Sequence, residues 1–158
     1  MHEQALKELV AQGLAALKTG GQIGSQAAGD IERDARHPEL KAALQEGSQR
    51  AQVWAQRIDS ALQQAGGHGE EDNPILKAHY EVANKIRASA KDDFSRDLGI
   101  IASSQLALHY WISAFGVMHA YTGELKLSQA EQDMEACVSE AKEADDKLTD
   151  IAHKLMAS

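Results

Sequence analysis

At 158 residues with a formal net charge of -8 and one cysteine, the chain is sized for a single domain, residues 1–158, that buries roughly 70% of its unfolded surface around one core. An acidic balance with no Lys/Arg cluster excludes nucleic acid as a partner class, and a lone cysteine excludes an intrachain disulfide. Two prolines amid abundant Ala, Leu, Gln, Glu and Lys predict an all-α protein, because those side chains lose little freedom on a helix.

The opening Met1-His2-Glu3-Gln4 lacks the basic-then-apolar order of a secretory signal, so a reducing, cytoplasmic setting is expected. The first helix is predicted from about His2 to Arg36. Its seam is Leu6, Val10, Gly13, Leu17, Gly20, Gly24, Ala27 and Ile31, at alternating spacings of three and four. Gly20-Gly21 could divide it. His37-Pro38 ends it and starts the second helix, whose seam runs Leu40, Leu44, Gly47, Ala51, Trp54, Ile58, Ala61 and Ala65 before Gly66-Gly67-His68-Gly69 stops it.

Asn73-Pro74 is a second start signal, for a shorter connector helix from about Pro74 to Ala90. The third long helix follows from about Phe94 to Tyr121, with seam residues Leu98, Ile101, Gln105, Leu108, Ile112, Phe115 and His119 and a stop at Gly123. No charged residue lies between Leu98 and Tyr121, a length that could span a bilayer. Ser103, Ser104, Gln105, His109, Ser113 and His119 within it, and the lack of a basic flank, favour a buried helix or a subunit interface over membrane insertion. Ser128-Gln129-Ala130-Glu131 has the form of a capping box. It opens a last helix with Met134, Ala141, Leu148 and Leu155 on one heptad position and Cys137, Ala144 and Ile151 on the other.

Four long seams and one connector predict an antiparallel four-helix bundle with a longer crossing between its second and third long helices, the ferritin-like arrangement. The third long helix is apolar beyond its seam, with Ile100, Leu106, Tyr110, Trp111 and Val117 on other faces. A connector or a second subunit should cover it, and a homodimer through this helix is the expectation.

Arg96-Asp97-Leu98-Gly99-Ile100-Ile101-Ala102-Ser103-Ser104-Gln105, His109-Tyr110 and Ala114-Phe115-Gly116 resemble the YciE/YciF-like ferritin-like family of bacterial stress proteins. Pro38-Glu39-Leu40-Lys41-Ala42-Ala43 and the stretch from Glu140 through Asp145-Asp146-Lys147-Leu148 to Ile151-Ala152 resemble its second and last helices. The resemblance spans roughly Ile31 to Ala152. It implies a dimeric ferritin-like bundle and a two-metal site of inward carboxylates and histidines. Where that family tends to read Glu-His-Tyr-Glu, this chain reads Leu108-His109-Tyr110-Trp111. Gly47 stands at what resembles the family's histidine position, and Gly21 at a glutamate position.

The residues give the same answer independently, because a carboxylate-bridged pair of metals needs about four carboxylates and two histidines, with two Glu-x-x-His pairs facing inward. The chain contains no Glu-x-x-His. Asp34 with His37 and Asp150 with His153 have that spacing but fall at helix ends, where charged residues face water. Glu143 is placed to pair with Lys147 four residues on, beside Glu140, and His109 is expected to hydrogen-bond a backbone carbonyl or Gln105. Aromatic packing by Trp54 and Phe115, filling the grooves left by Gly13, Gly20 and Gly24, is predicted to take the space a metal site would use.

No catalytic residue, metal ligand or cofactor is therefore assigned. Cys137 reads as a small buried hydrophobe. Haem through His119 or Met118 lacks an attachment motif, and the Gly66–Gly69 run lacks a nucleotide-loop context. The preferred reading is a non-catalytic structural or interaction protein. One alternative is a divergent metalloprotein using Glu46, His109, Glu140 and Glu143; another is a module whose uncharged helix takes a partner helix or lipid.

Overall fold

The computed structural model describes residues 2–158. Among these residues there are five helices and no strand: α1 (His2–Asp34), α2 (Pro38–Gln64), α3 (Pro74–Ser89), α4 (Asp93–Glu124) and α5 (Ser128–Ala157). The all-α bundle of four long helices with a short connector is thus as the sequence patterns predict, and α1 runs unbroken through Gly20-Gly21.

The punctuation explains most boundaries. Pro38 opens α2 behind an extended His37, and the Asn73 side chain accepts from the Leu76 N–H at 3.0 Å to cap α3. At the end of α2, Gly66 and Gly67 take φ of +100° and +76°, and the N–H groups of Gly66 and Gly67 return to the carbonyls of Gln63 and Leu62, the Schellman arrangement. Two boundaries differ from expectation. The stop after α4 is made by Lys126 at φ 57° rather than by Gly123, with Lys126 N–H on Gly123 and Leu127 N–H on Thr122. The Ser128 capping box does not form, because Leu127 occupies the N-cap position. A box the sequence left unremarked closes the start of α4, where Asp92 and Ser95 cap each other's backbone.

Cross-helix contacts set the topology. Lys18 meets Asp59, and Ser48 donates to Glu32, so α1 and α2 are antiparallel. Lys154 meets Glu39 while Gln64 reaches Ala130, which makes α5 antiparallel to α2. Gln105 bonds Thr149 and His119 faces the Glu131 carbonyl, so α4 opposes α5 and runs parallel to α2. A parallel α2-to-α4 connection must travel the length of the bundle. The α3 segment makes that journey alongside α1 and α4: Asn73 contacts Ala16 and Tyr110, and Arg87 contacts Asp34.

Glycines fix how closely α3 approaches. A Cβ at Gly20 would lie 2.6 Å from Asn73 Nδ2 and 2.7 Å from Leu76, and one at Gly99 would lie 2.7 Å from Ile86. The glycine grooves therefore receive side chains of the α3 segment, with Tyr80 at Gly24, and Met118 of α4 at Gly13, and not Trp54 or Phe115 as the sequence suggests. Buried Asp97 locks the other end of the bundle, accepting from the backbone N–H groups of Arg36 and His37 at 2.9 and 2.8 Å. It ties the α1–α2 turn to α4.

The core forms two clusters. One gathers Val10, Leu14, Trp54, Ile58, Trp111, Phe115, Met134 and Cys137. The other gathers Ala35, Leu40, Ile100, Ile101, Leu148 and Ile151, and only partly buried Leu108 packs against both. The predicted α5 seam is buried except for half-buried Ala144. The α2 seam is not continuous, since Gly47 and Ala51 are exposed. On α4 the buried line passes through Ile100, Ala107, Trp111, Phe115, Met118 and Thr122, so Trp111 belongs to the core rather than to an outer face.

Candidate functional site

Three aromatic side chains from α2 and α4 meet at the centre. Trp111 and Phe115 stand one turn apart on α4 and stack with centroids 5.1 Å apart at 25°. Trp54 of α2 meets Phe115 edge-on at 5.2 Å and 77°, and lies 6.0 Å from Trp111. Each such pair contributes about 0.5–1.5 kcal/mol beyond its burial. Trp54 is oriented by its Nε1–H, which donates to Glu140 Oε1 at 3.1 Å. Arg57 Nη1 in turn donates to both Glu140 oxygens, at 2.9 and 2.7 Å. The Glu140 carboxylate thus serves two partly buried donors, a use that a metal would have to displace.

Beside this cluster lies a cleft of about 770 Å³. It occupies the gap between the two core clusters, between the second half of α1 and the middle of α2, with α3, α4 and α5 as its inner wall. The cause is the small-residue content there. Gly21, Ala28, Gly47 and Ala51 line it, and a Cβ at Gly21 or Gly47 would meet nothing within 4 Å. The positions at which the resemblance implies a glutamate and a histidine are thus openings, while Leu108 and Trp111, in place of two carboxylates, form part of the inner wall. None of these four side chains can ligate a metal, so the residues present do not fit a two-metal centre.

The sequence-predicted alternatives do not converge either. Glu46 is exposed and pairs with Lys147 at 2.6 Å, whose hydrogen bond holds its carboxyl below the usual range. Lys147 therefore bridges to α2 instead of pairing with Glu143, as expected from their spacing. His109 is 65% exposed at its side chain and faces Asp145 at 3.1 Å, not a backbone carbonyl or Gln105. Asp34 is taken by Arg87 at 3.1 Å, and Asp150 and His153 are exposed. Among the described residues no group of three or more His, Cys, Asp or Glu is placed to hold a metal ion. His119 bonds the Glu131 carbonyl through Nδ1 at 3.1 Å, and Met118 fills the space over Gly13.

Three participants escaped the sequence reading. Trp111 was hidden because α4 is apolar on every side, so period alone does not choose the inward face. The spacing Ala107, Trp111, Phe115, Met118, Thr122 was the available signal. Arg57 carries no sign of its partner on α5, since that contact joins residues 83 apart. Asn73 reads as a cap, and its second role, donating to Ala16 and to the Tyr110 hydroxyl at 3.0 and 2.9 Å, is purely tertiary.

Cys137 sits beneath this network, fully buried with Arg57 3.8 Å from its sulfur. Burial pushes its thiol up to about 11, against the pull of Arg57, so the nucleophilic thiolate is scarce at neutral pH. Iodoacetamide at pH 8 should leave the folded protein unmodified and alkylate it once urea unfolds it, as read by mass. Rapid labelling of the folded chain would contradict this burial. The unfolded thiol ionises near its ordinary 9.0 and the folded one near 11. The thiol's contribution to stability is present below pH 9 and lost as pH rises towards 11.

Comparison with known proteins places this geometry. Residues 22–158 match the family described as "Domain of unknown function (DUF892)". The fold is similar to that of the E. coli stress protein YciF, with a TM-score of 0.92 at 20% identity over 97% of this chain and 98% of that one. It is also similar to YcfI of Rhodopseudomonas palustris, proposed to be a structural protein, with a TM-score of 0.86 at 21% identity over 91% of this chain and 92% of that one. No curated protein matches the chain by sequence.

Proposed function

The chain belongs to the DUF892 family, and from that premise we propose that it is a non-catalytic, ferritin-like bundle acting as a structural or interaction protein in the bacterial cytoplasm, with a part in stress physiology. The observation that carries this reading is the aromatic wall of Trp54, Trp111 and Phe115 beside two open glycines, in the place where two-metal chemistry would require inward carboxylates and histidines. The relatives described as a stress protein and as a proposed structural protein support the same class.

The interaction surface in this reading is the outer stripe of α4. Leu106, Val117 and Tyr121 are 65%, 40% and 37% exposed, and their spacing places them along one side of the helix. This helix is also long and apolar enough to cross a membrane by length and composition. Its packing against α5 and α3 favours instead a homodimer that pairs the stripe with its own copy.

The reading is tested by incubating the purified, untagged protein with ferrous iron in air while following iron oxidation and, by light scattering, molar mass. Oxidation at the buffer rate from a dimer that Leu106→Glu splits is the expected result. Protein-dependent oxidation lost in His109→Ala would favour the divergent metalloprotein, and a monomer that partitions onto vesicles would favour the lipid-binding module.

A further inference from the structure

The cleft beside the aromatic cluster has a size and chemistry of its own. Its volume of about 770 Å³ falls within the roughly 300–1,000 Å³ typical of small-molecule sites. All five helices contribute to it, and Trp54, Trp111, Ile58, Leu44, Leu108 and Leu148 supply its large apolar surface. A space of this kind interrupts the core at a cost in lost packing, and hydrocarbon walls offer water few partners.

The rim carries charge, and most of it is paired. Lys18 pairs with Asp59 at 2.9 Å and Lys147 with Glu46 at 2.6 Å. Arg87 is taken by Asp34, and Glu32 accepts from Ser48. Two further polar groups on the wall, His79 and Tyr80, are held towards their neutral forms by burial, His79 lowered and Tyr80 raised. Arg50 also lines the cleft, without an ion pair among the described residues but in the field of the Glu46 carboxylate; away from it, an ionic ligand would have to break one of these pairs or remain unpaired in an apolar space. A second copy of the chain is a poor occupant too, since its helix would have to desolvate the paired charges and the glutamines Gln22, Gln26 and Gln52 that border the opening.

We propose that this cleft is a binding site for one uncharged, hydrocarbon-rich small molecule, seated against Trp54 and Trp111 and admitted by the missing side chains at Gly21 and Gly47. This goes beyond a structural role and stands whether or not the protein dimerises through α4. The chain supplies its own reporter: it has two tryptophans, and both line the cleft, so occupancy changes intrinsic fluorescence.

The test titrates the full chain with N-phenyl-1-naphthylamine, an uncharged fluorescent probe, following probe emission and tryptophan quenching together. Saturable binding of one probe per chain is expected, displaced by dodecan-1-ol and at least tenfold less effectively by dodecanoate or dodecyltrimethylammonium. Gly47→Phe and Gly21→Leu should each weaken probe binding at least tenfold. Both glycines lie inside helices without a positive φ and with open space at the Cβ, so the variants should keep full helicity and melt no lower than the parent. Non-saturable uptake, unchanged affinity in both filled variants, or equal displacement by the charged competitors would overturn the proposal. So would tryptophan emission that shifts with protein concentration alone, the mark of a second copy in the cleft.

Discussion

Replacing Phe115 by alanine is expected to lower stability by about 3–5 kcal/mol, the usual cost of truncating a large buried aromatic. Phe115 is 0% exposed and is the member of the cluster that both tryptophans touch, stacked on Trp111 and edge-on to Trp54. Its loss removes the transfer energy of the ring and two aromatic pairs at once. The neighbouring cleft does not soften the effect, because relaxation into it would draw Trp54 away from Glu140 and leave the indole N–H and Arg57 short of an acceptor. Urea denaturation read by circular dichroism measures the loss. A change below about 1 kcal/mol would mean that the cluster is peripheral to the core.

Asp97→Ala should cost about 3 kcal/mol, although it removes almost no apolar surface. The carboxylate is 3% exposed and is the acceptor for two backbone N–H groups at the α1–α2 turn, each of which loses a charge-assisted bond in the variant. Asp97→Asn keeps one oxygen and should recover roughly half of the loss. The same denaturation experiment separates the two variants. Equal stability of Asp97→Ala and the parent would show that the turn does not depend on α4.

These residues also mark how much could be seen in advance. Pro38, Asn73-Pro74 and Gly66-Gly67 place three helix boundaries because each acts on its own backbone through a fixed φ, a side-chain acceptor or a left-handed turn. The α5 heptads were legible for a similar reason: one narrow stripe on a charged helix has a single way to face inward. On α4 that logic fails, since apolar residues surround the helix and only its packing against α5, α3 and α1, with Trp54 reaching in from α2, decides that Trp111 turns in while Leu106 turns out. Gly20 and Gly99 were visible as residues, but the side chains they admit, Asn73, Leu76 and Ile86, come from the connector and carry no local trace of that role. The same holds for the site. The missing carboxylates were legible at Leu108 and Trp111 by resemblance, whereas the cleft beside them arises from two helices whose small residues, Gly21 and Gly47, happen to face the same gap.

Aromatic packing and a glycine-lined cleft stand where metal ligands would be needed. The most direct test is the metal content of untagged protein after aerobic incubation with ferrous iron or manganese and removal of loosely bound ions. Close to zero tightly bound metal per chain is the expected result. About two ions per chain, the load of a carboxylate-bridged pair, would contradict it and restore an oxidase reading.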